Sequence, residues 1–264
     1  MLDLHSHILP AIDDGAKDME MSLTMLQTAF ENGTKGIVAT PHVIEGQWLP
    51  TWDRVLAECY VLQERAQAAR INIPIFPGGE VAIHLDILNL LKGPGAYCIN
   101  SGRYLLVELP AAHIPSFTDD FFFTLQARGI TPILAHPERH PDLGKNPEIL
   151  VEWINKGVLT QVNGTSITGR MGKRVMATAE LFLVNKMVHV LGSDAHHVHN
   201  RNTNLTSAVA RMTQLIGPKA TQDILVVNPD NIIFSREVHI PEIGVIKRTT
   251  RNKSVMKWIA GLWT

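Results

Sequence analysis

The stretch LDLHSHILPAIDDG, residues 2–15, decides how the chain is to be read. Leu2–Ser6 has the composition of a short strand, and His5 and His7 stand at its end, one residue apart. On an alternating strand that spacing points both imidazoles to the same face, as two ligands of one ion require. Asp13 and Asp14 follow in the same loop. The arrangement then recurs. His42 follows a β-rich run at 36–40, Glu80 follows one at 73–77, and Glu108 ends one at 104–109. His136 follows 131–135, Asn163 follows 158–162, and Asp194 and His196 follow 187–191. Histidines buried for packing have no reason to recur at the same end of successive strands. His84, His113, His140, His189, His199 and His239 fit no such pattern and read as structural.

Between these runs lie stretches with helical spacing, near 18–32, 52–69, 116–128, 147–156, 170–185 and 202–215, while the segment after Glu80 reads neither way. Alternating strands and helices mean parallel strands with crossover helices, in an α/β fold. A closed barrel gathers the carboxyl ends of its strands at one mouth, whereas an open sheet strings them along an edge. A polar residue at every strand end therefore predicts a distorted seven-stranded (β/α) barrel, with the active site at the C-terminal ends of the strands.

The chain has 264 residues, 45% hydrophobic, enough for one large domain with an ordinary core. Its formal net charge of −1 gives no global attraction for nucleic acid, which is not expected as a partner. Charge is nonetheless uneven, because residues 244–264 hold Lys247, Arg248, Arg251, Lys253 and Lys257 and no acid. The expected organisation is a metal-dependent barrel over 1–243 and a basic tail over 244–264. Cys59 and Cys98 form no disulfide framework, and no segment reads as a signal peptide or membrane span, so a cytoplasmic location is expected.

The candidate ligands combine imidazole with carboxylate and lack thiolate, which suits Mn²⁺, Fe²⁺ or Zn²⁺ at a hydrolytic centre. They are too many for one ion, so more than one is expected. Such clusters activate water and clamp the oxygens of a displacement at phosphorus. A competing signal is CYVLQER, where Cys59 and Arg65 have the spacing of a cysteine-dependent phosphatase loop. That chemistry needs a glycine-rich loop whose amides surround the phosphate. These seven residues contain no glycine and follow a helical pattern, so Cys59 reads as core.

The segments DLHSHILPAIDDG, IVATPH, GGE, VELP, ILAHPERH, QVNGTSITGRMGKR and GSDAHHVHNR resemble, in this order, the polymerase and histidinol phosphatase (PHP) superfamily. Within it they are most similar to the manganese-dependent bacterial protein-tyrosine phosphatases of capsule and exopolysaccharide operons. The resemblance implies a trinuclear centre. His5, His7, Glu80 and Asp194 would hold one ion, Glu80, Glu108 and His136 a second, and Asp13 or Asp14 with His42 and His196 a third. It also implies that Arg139 and Arg201 bind the substrate phosphate, where a guanidinium holds two oxygens at once. The implied reaction is in-line attack of a metal-bound hydroxide on phosphotyrosine. The implied partner is the phosphotyrosine tail of a bacterial tyrosine kinase that controls polysaccharide synthesis. Two other readings share the fold: a small-molecule phosphomonoesterase of the histidinol phosphatase type, and a non-catalytic regulatory module. Beyond Arg201 the chain departs from the resemblance, with NTNLTSAVARM in place of an arginine- and proline-rich continuation.

In the tail, Val255, Trp258, Ile259, Leu262 and Trp263 are spaced to share one face of a helix. Two readings stand: the face packs onto the barrel, or it forms a peripheral contact with an anionic membrane. The sequence is compatible with an oligomer.

Overall fold

The computed structural model of the protein describes residues 1–243, 245 and 246. The apolar face expected from Val255 to Trp263, and the five tail cations, lie outside the described residues. Among those residues the strands are β1 (Leu2–Ser6), β2 (Gly36–Ala39), β3 (His42–Val43), β4 (Ile75–Pro77), β5 (Glu80–Ala82), β6 (Tyr104–Glu108), β7 (Thr131–Ala135), β8 (Leu159–Asn163) and β9 (Val190–Gly192). Every pairing between them is parallel, as the alternation predicts.

The strands form two ladders, β1-β2-β4 and β3-β5-β6-β7-β8-β9, where the pattern predicts seven strands in one sheet. Two of the expected strands, 36–40 and 73–77, are each followed after a break by a further short strand. The second breaks at Thr40 and Pro41, where proline has no N–H for the ladder, and resumes as β3. The third breaks at Gly78 and Gly79 and resumes as β5. A Cβ at Gly79 would lie 3.2 Å from Val43 and 3.3 Å from Tyr97, so the jog is a close backbone approach. Its consequence is direct: His42 and Glu80, each expected just past a strand, are paired neighbours on the second ladder. At the other side, β1 meets the loop after β9 through the bridge Ser6–Ala195, where His7 N donates to Ala195 O at 2.9 Å.

Helices α1 (Met19–Glu31), α2 (Trp52–Ala68), α3 (Thr118–Ala127), α4 (Pro141–Lys145), α5 (Pro147–Asn155), α6 (Gly164–Ile167), α7 (Lys173–Val184), α8 (Thr206–Gln222) and α9 (Asn228–Ile233) connect the strands. The Asp18 carboxylate accepts from Met21 N and caps α1; the Thr51 hydroxyl accepts from Arg54 N and caps α2. The expected helix at 170–185 starts only at Lys173, because Gly169 and Gly172 adopt φ of 78° and 94°. The one expected at 202–215 runs on to Gln222 across a kink at Gly217.

A central core cluster joins both ladders through Leu4, Val38, Tyr104, Leu106, Ile133, Leu159 and Val190, with Ile232 and Ile233 of α9 packed into it. Strand alternation carries the same inward stripe on towards the carboxyl ends. Two residues beyond Leu106 comes Glu108, and two beyond Leu159 comes Gln161, then Asn163. The inner stripe is thus apolar at the amino ends of the strands and polar at their carboxyl ends.

Candidate metal centre

Ligand atoms from β1, β3, β5, β6 and the loops after β1, β7 and β9 converge at the carboxyl ends. Three overlapping groups bring their atoms within 4.8 Å: His7, Asp14, His42 and His196; His5, His7 and Glu80; and His42, Glu80 and Glu108. His136 Nε2 lies 2.9 Å from Glu80 Oε1 and 3.6 Å from Glu108 Oε1. Asp194 Oδ1 is 3.6 Å from both His5 Nε2 and His7 Nε2. All ten residues singled out as candidate ligands therefore surround one site, with Glu80 at its middle and 1% exposed. His136 and Asp194 reach it from left-handed backbone, φ 32° and 52°, a strain that clusters at functional sites.

The donor set tests whether a cation fits. The Nδ1 atom of His7 lies 2.7 Å from Asp13 Oδ2, and that of His5 lies 2.9 Å from Gln161 Oε1. Both partners are acceptors, so each Nδ1 carries the hydrogen and each Nε2 presents a lone pair. These two Nε2 atoms are 3.1 Å apart, and Glu80 Oε2 lies 3.3 Å and 3.2 Å from them. Three acceptors this close require a proton or a cation among them. Ligands bonded to one ion at about 2.0–2.2 Å and near right angles stand about 3 Å apart, so the spacing suits a divalent metal. Glu80 Oε2 also lies 3.1 Å from the buried His42 Nδ1, a fourth atom facing the same point.

Asp13 and Asp14, equivalent by spacing, differ in place. The Asp13 carboxylate is fully buried and accepts from the backbone N–H groups of Gly15 and His42 besides the His7 ring, which it orients. Asp14 is half exposed, its Oδ1 3.6 Å from His42 Nε2 and 3.4 Å from His196 Nε2. Sequence reasoning missed Gln161, which orients His5 and passes a hydrogen bond to Asn163; Asn163 in turn donates to Asp194 at 2.7 Å. Asn163 is the strand-end residue that the sequence pattern picks out, and the alternation of Gln161 with Leu159 and Asn163 along one strand is the signal that could have found Gln161. It also missed Asp3, whose buried carboxylate accepts from Ser193 N and His5 N, and Trp48, stacked on His42 at 5.3 Å.

Charge follows from this packing. Burial raises Glu80, but His5, His136 and His42 outweigh it and hold its carboxyl well below the usual range. Burial lowers His5 and His7, yet Glu80 and Asp194 raise the first and Asp13 and Glu80 the second above the ordinary imidazole value. His196, buried and beside His7, is pushed down to about 3. At the rim, Arg139 Nη1 donates to Asp194 Oδ2 at 3.0 Å and Arg201 Nη2 to Asp194 Oδ1 at 2.7 Å. Both guanidiniums remain about one-third exposed and so are open to a substrate anion. Cys59 lies on α2, buried in the core beneath it, and burial pushes its thiol up to about 12. Its neighbours in sequence are helical, and among the described residues no phosphate loop surrounds it.

Known proteins are similar to this chain in sequence and fold. The chain is 33% identical over 209 residues to the tyrosine-protein phosphatase YwqE of Bacillus subtilis, covering 79% of this chain and 82% of that one. It is 32% identical over 201 residues to the putative tyrosine-protein phosphatase CapC of Staphylococcus aureus, covering 76% and 79%. A chain from the crystal structures of YwqE from Bacillus subtilis and CpsB from Streptococcus pneumoniae, metal-dependent tyrosine phosphatases, superposes with a TM-score of 0.88 at 29% identity, over 94% of this chain and all of that one. Residues 1–234 match the family described as capsular polysaccharide synthesis, CpsB/CapC, and this chain belongs to that family.

Proposed function

We propose that this protein is a metal-dependent protein-tyrosine phosphatase that hydrolyses phosphotyrosine on the tail of a bacterial tyrosine kinase controlling capsule or exopolysaccharide synthesis. The observation that carries it is the pairing of three facing acceptors, His5 Nε2, His7 Nε2 and Glu80 Oε2, with two rim guanidiniums held beside them. In this reading the two ladders form the wall of a distorted seven-stranded barrel, and its mouth is the active site.

His5, His7, Glu80, Glu108, His136, Asp194, Asp14, His42 and His196 would hold two or three Mn²⁺ ions, with Asp13 and Gln161 fixing the tautomers of His7 and His5. When bound, divalent ions supply Lewis acidity at phosphorus and lower the pKa of a bound water towards neutrality. Arg139 and Arg201 bind the phosphoryl oxygens. As the transition state gathers charge on those oxygens, the guanidiniums strengthen their hold, which is where rate is gained. A phenolate leaving group has an ordinary pKa near 10, so it departs with little protonation from the protein. Asp194 keeps both guanidiniums aligned between turnovers.

Burial of the Cys59 thiol removes the alternative nucleophile. We further place the protein in the cytoplasm, with residues 244–264 as a peripheral contact to anionic lipid near a membrane-bound kinase. Among the described residues no helix is long and apolar enough to cross a membrane. The reading is tested by turnover of a phosphotyrosine peptide against histidinol phosphate after loading with Mn²⁺. Efficient hydrolysis of the peptide is expected; a strong preference for histidinol phosphate would turn the assignment to a small-molecule phosphomonoesterase.

A further inference from the structure

The two flanks of the site differ in charge. On one side an open cleft of about 310 Å³ is lined by Ile44, Glu45, Ile83, His84, Glu108 and Leu109, apolar walls with two carboxylates and one imidazole that faces Asp86 at 3.7 Å. On the other, a pocket of about 560 Å³ is lined by Thr165, Arg170, Met171, His199, Asn200 and Arg201. No acid lines it. Arg201 is the wall shared with the metal centre, since its Nη2 lies 2.7 Å from Asp194 Oδ1.

Arg170 differs from the two rim arginines. Arg139 and Arg201 each pair with Asp194, whereas among the described residues no carboxylate pairs with Arg170, which is exposed. Its backbone is nonetheless fixed. Arg170 N donates to Thr165 O at 3.1 Å, between Gly169 and Gly172 at φ 78° and 94°, so the turn after α6 presents it to the pocket. A cation without a counter-charge, carried on a turn whose backbone is fixed and opening onto a pocket that another arginine links to the reacting phosphate, is arranged for an anion from outside.

We propose that the pocket of Arg170 and Arg201 is a second anion subsite, which takes a phosphate or carboxylate borne by a residue near the phosphotyrosine in the same substrate tail. The inference rests on the phosphotyrosine reading and adds a sequence preference to it. A guanidinium pairs with both groups through charge-assisted bonds, most firmly when two oxygens face its fork. The pocket is open to water, so the gain is modest and screened by salt, about two- to fivefold in KM at low ionic strength. The apolar and acidic cleft opposite gives such a group no support, so the preference should depend on which side of the phosphotyrosine the anion lies.

The test uses the full chain loaded with Mn²⁺ and one phosphotyrosine peptide in three forms: neutral neighbours, a glutamate, or a phosphoserine moved through successive positions on either side. Dephosphorylation is followed at the tyrosine ring. Wild type should show a KM about two- to fivefold lower for the charged peptides at positions on one side, an advantage that fades with added salt. Arg170→Glu should erase that ratio, and Arg170→Lys should restore part of it. A preference for phosphate alone or carboxylate alone identifies which group the subsite takes. Equal KM for all peptides in wild type, or an equal loss on all three in Arg170→Glu, would overturn the subsite while leaving the phosphatase reading intact. Absence of turnover on every peptide would remove both.

Discussion

His7 shows how one ring is committed to two directions at once. Its Nδ1 is held by the buried Asp13 carboxylate, and its Nε2 is thereby turned towards Glu80 and His5. Asp13 and Asp14 should separate accordingly. Asp13→Ala is expected to weaken Mn²⁺ binding by about 10–100-fold while full occupancy is still reached at high metal. Asp14→Ala should instead lower the number of ions held per chain at saturation. Metal titration of both variants decides between the roles. At Cys59 the sign is equally definite: a thiol pushed up to about 12 stays protonated at neutral pH, so Cys59→Ser should leave kcat/KM unchanged and iodoacetamide should spare the folded enzyme. Loss of turnover in Cys59→Ser with its metals bound would contradict the mechanism. The candidate ligands were legible in the sequence because each is a charged or imidazole side chain at a strand end. Gln161 was not, since a neutral amide orienting a ligand from within a strand looks like an ordinary polar strand residue.

At the scale of elements, the close passage of β1 past β8 and β9 limits what the backbone tolerates. A Cβ at Gly192 would lie 2.5 Å from the Cβ of His5 and 2.7 Å from Gln161 Nε2. Gly192→Ala should cost about 1–3 kcal/mol of stability by overpacking and should also loosen the His5 ring from Gln161. Calorimetry paired with metal analysis would check both; a variant with wild-type Tm and wild-type metal content would show that the contact is slack. Parallel pairing and most helix positions were readable from period and capping residues. The further short strands β3 and β5 were not. A proline or a glycine pair within a β-rich run signals a break, but whether the chain resumes on the same ladder depends on neighbours far away in sequence, here Val43 and Tyr97 around Gly79.

For the molecule as a whole, the described fold closes with Ile240 and Ile243 packed against the main core. A chain truncated after Ile243 keeps those contacts. It should fold and hydrolyse phosphotyrosine peptide as the full chain does, but lose salt-sensitive binding to vesicles containing anionic lipid. Failure of the full chain to bind such vesicles at low salt would remove the membrane contact. The central claim is that metals held by this cluster, with the rim arginines beside them, carry the reaction. Metal content and phosphotyrosine-peptide turnover measured on the same samples test it most directly, for wild type before and after chelation, for His136→Ala and for Arg139→Ala. The account predicts that chelation strips both metal and activity and that Mn²⁺ restores them. It predicts that His136→Ala loses both, and that Arg139→Ala keeps its metal while kcat/KM falls by about 10²-fold or more. Full turnover in a chelated, metal-free sample, or in Arg139→Ala, would contradict it.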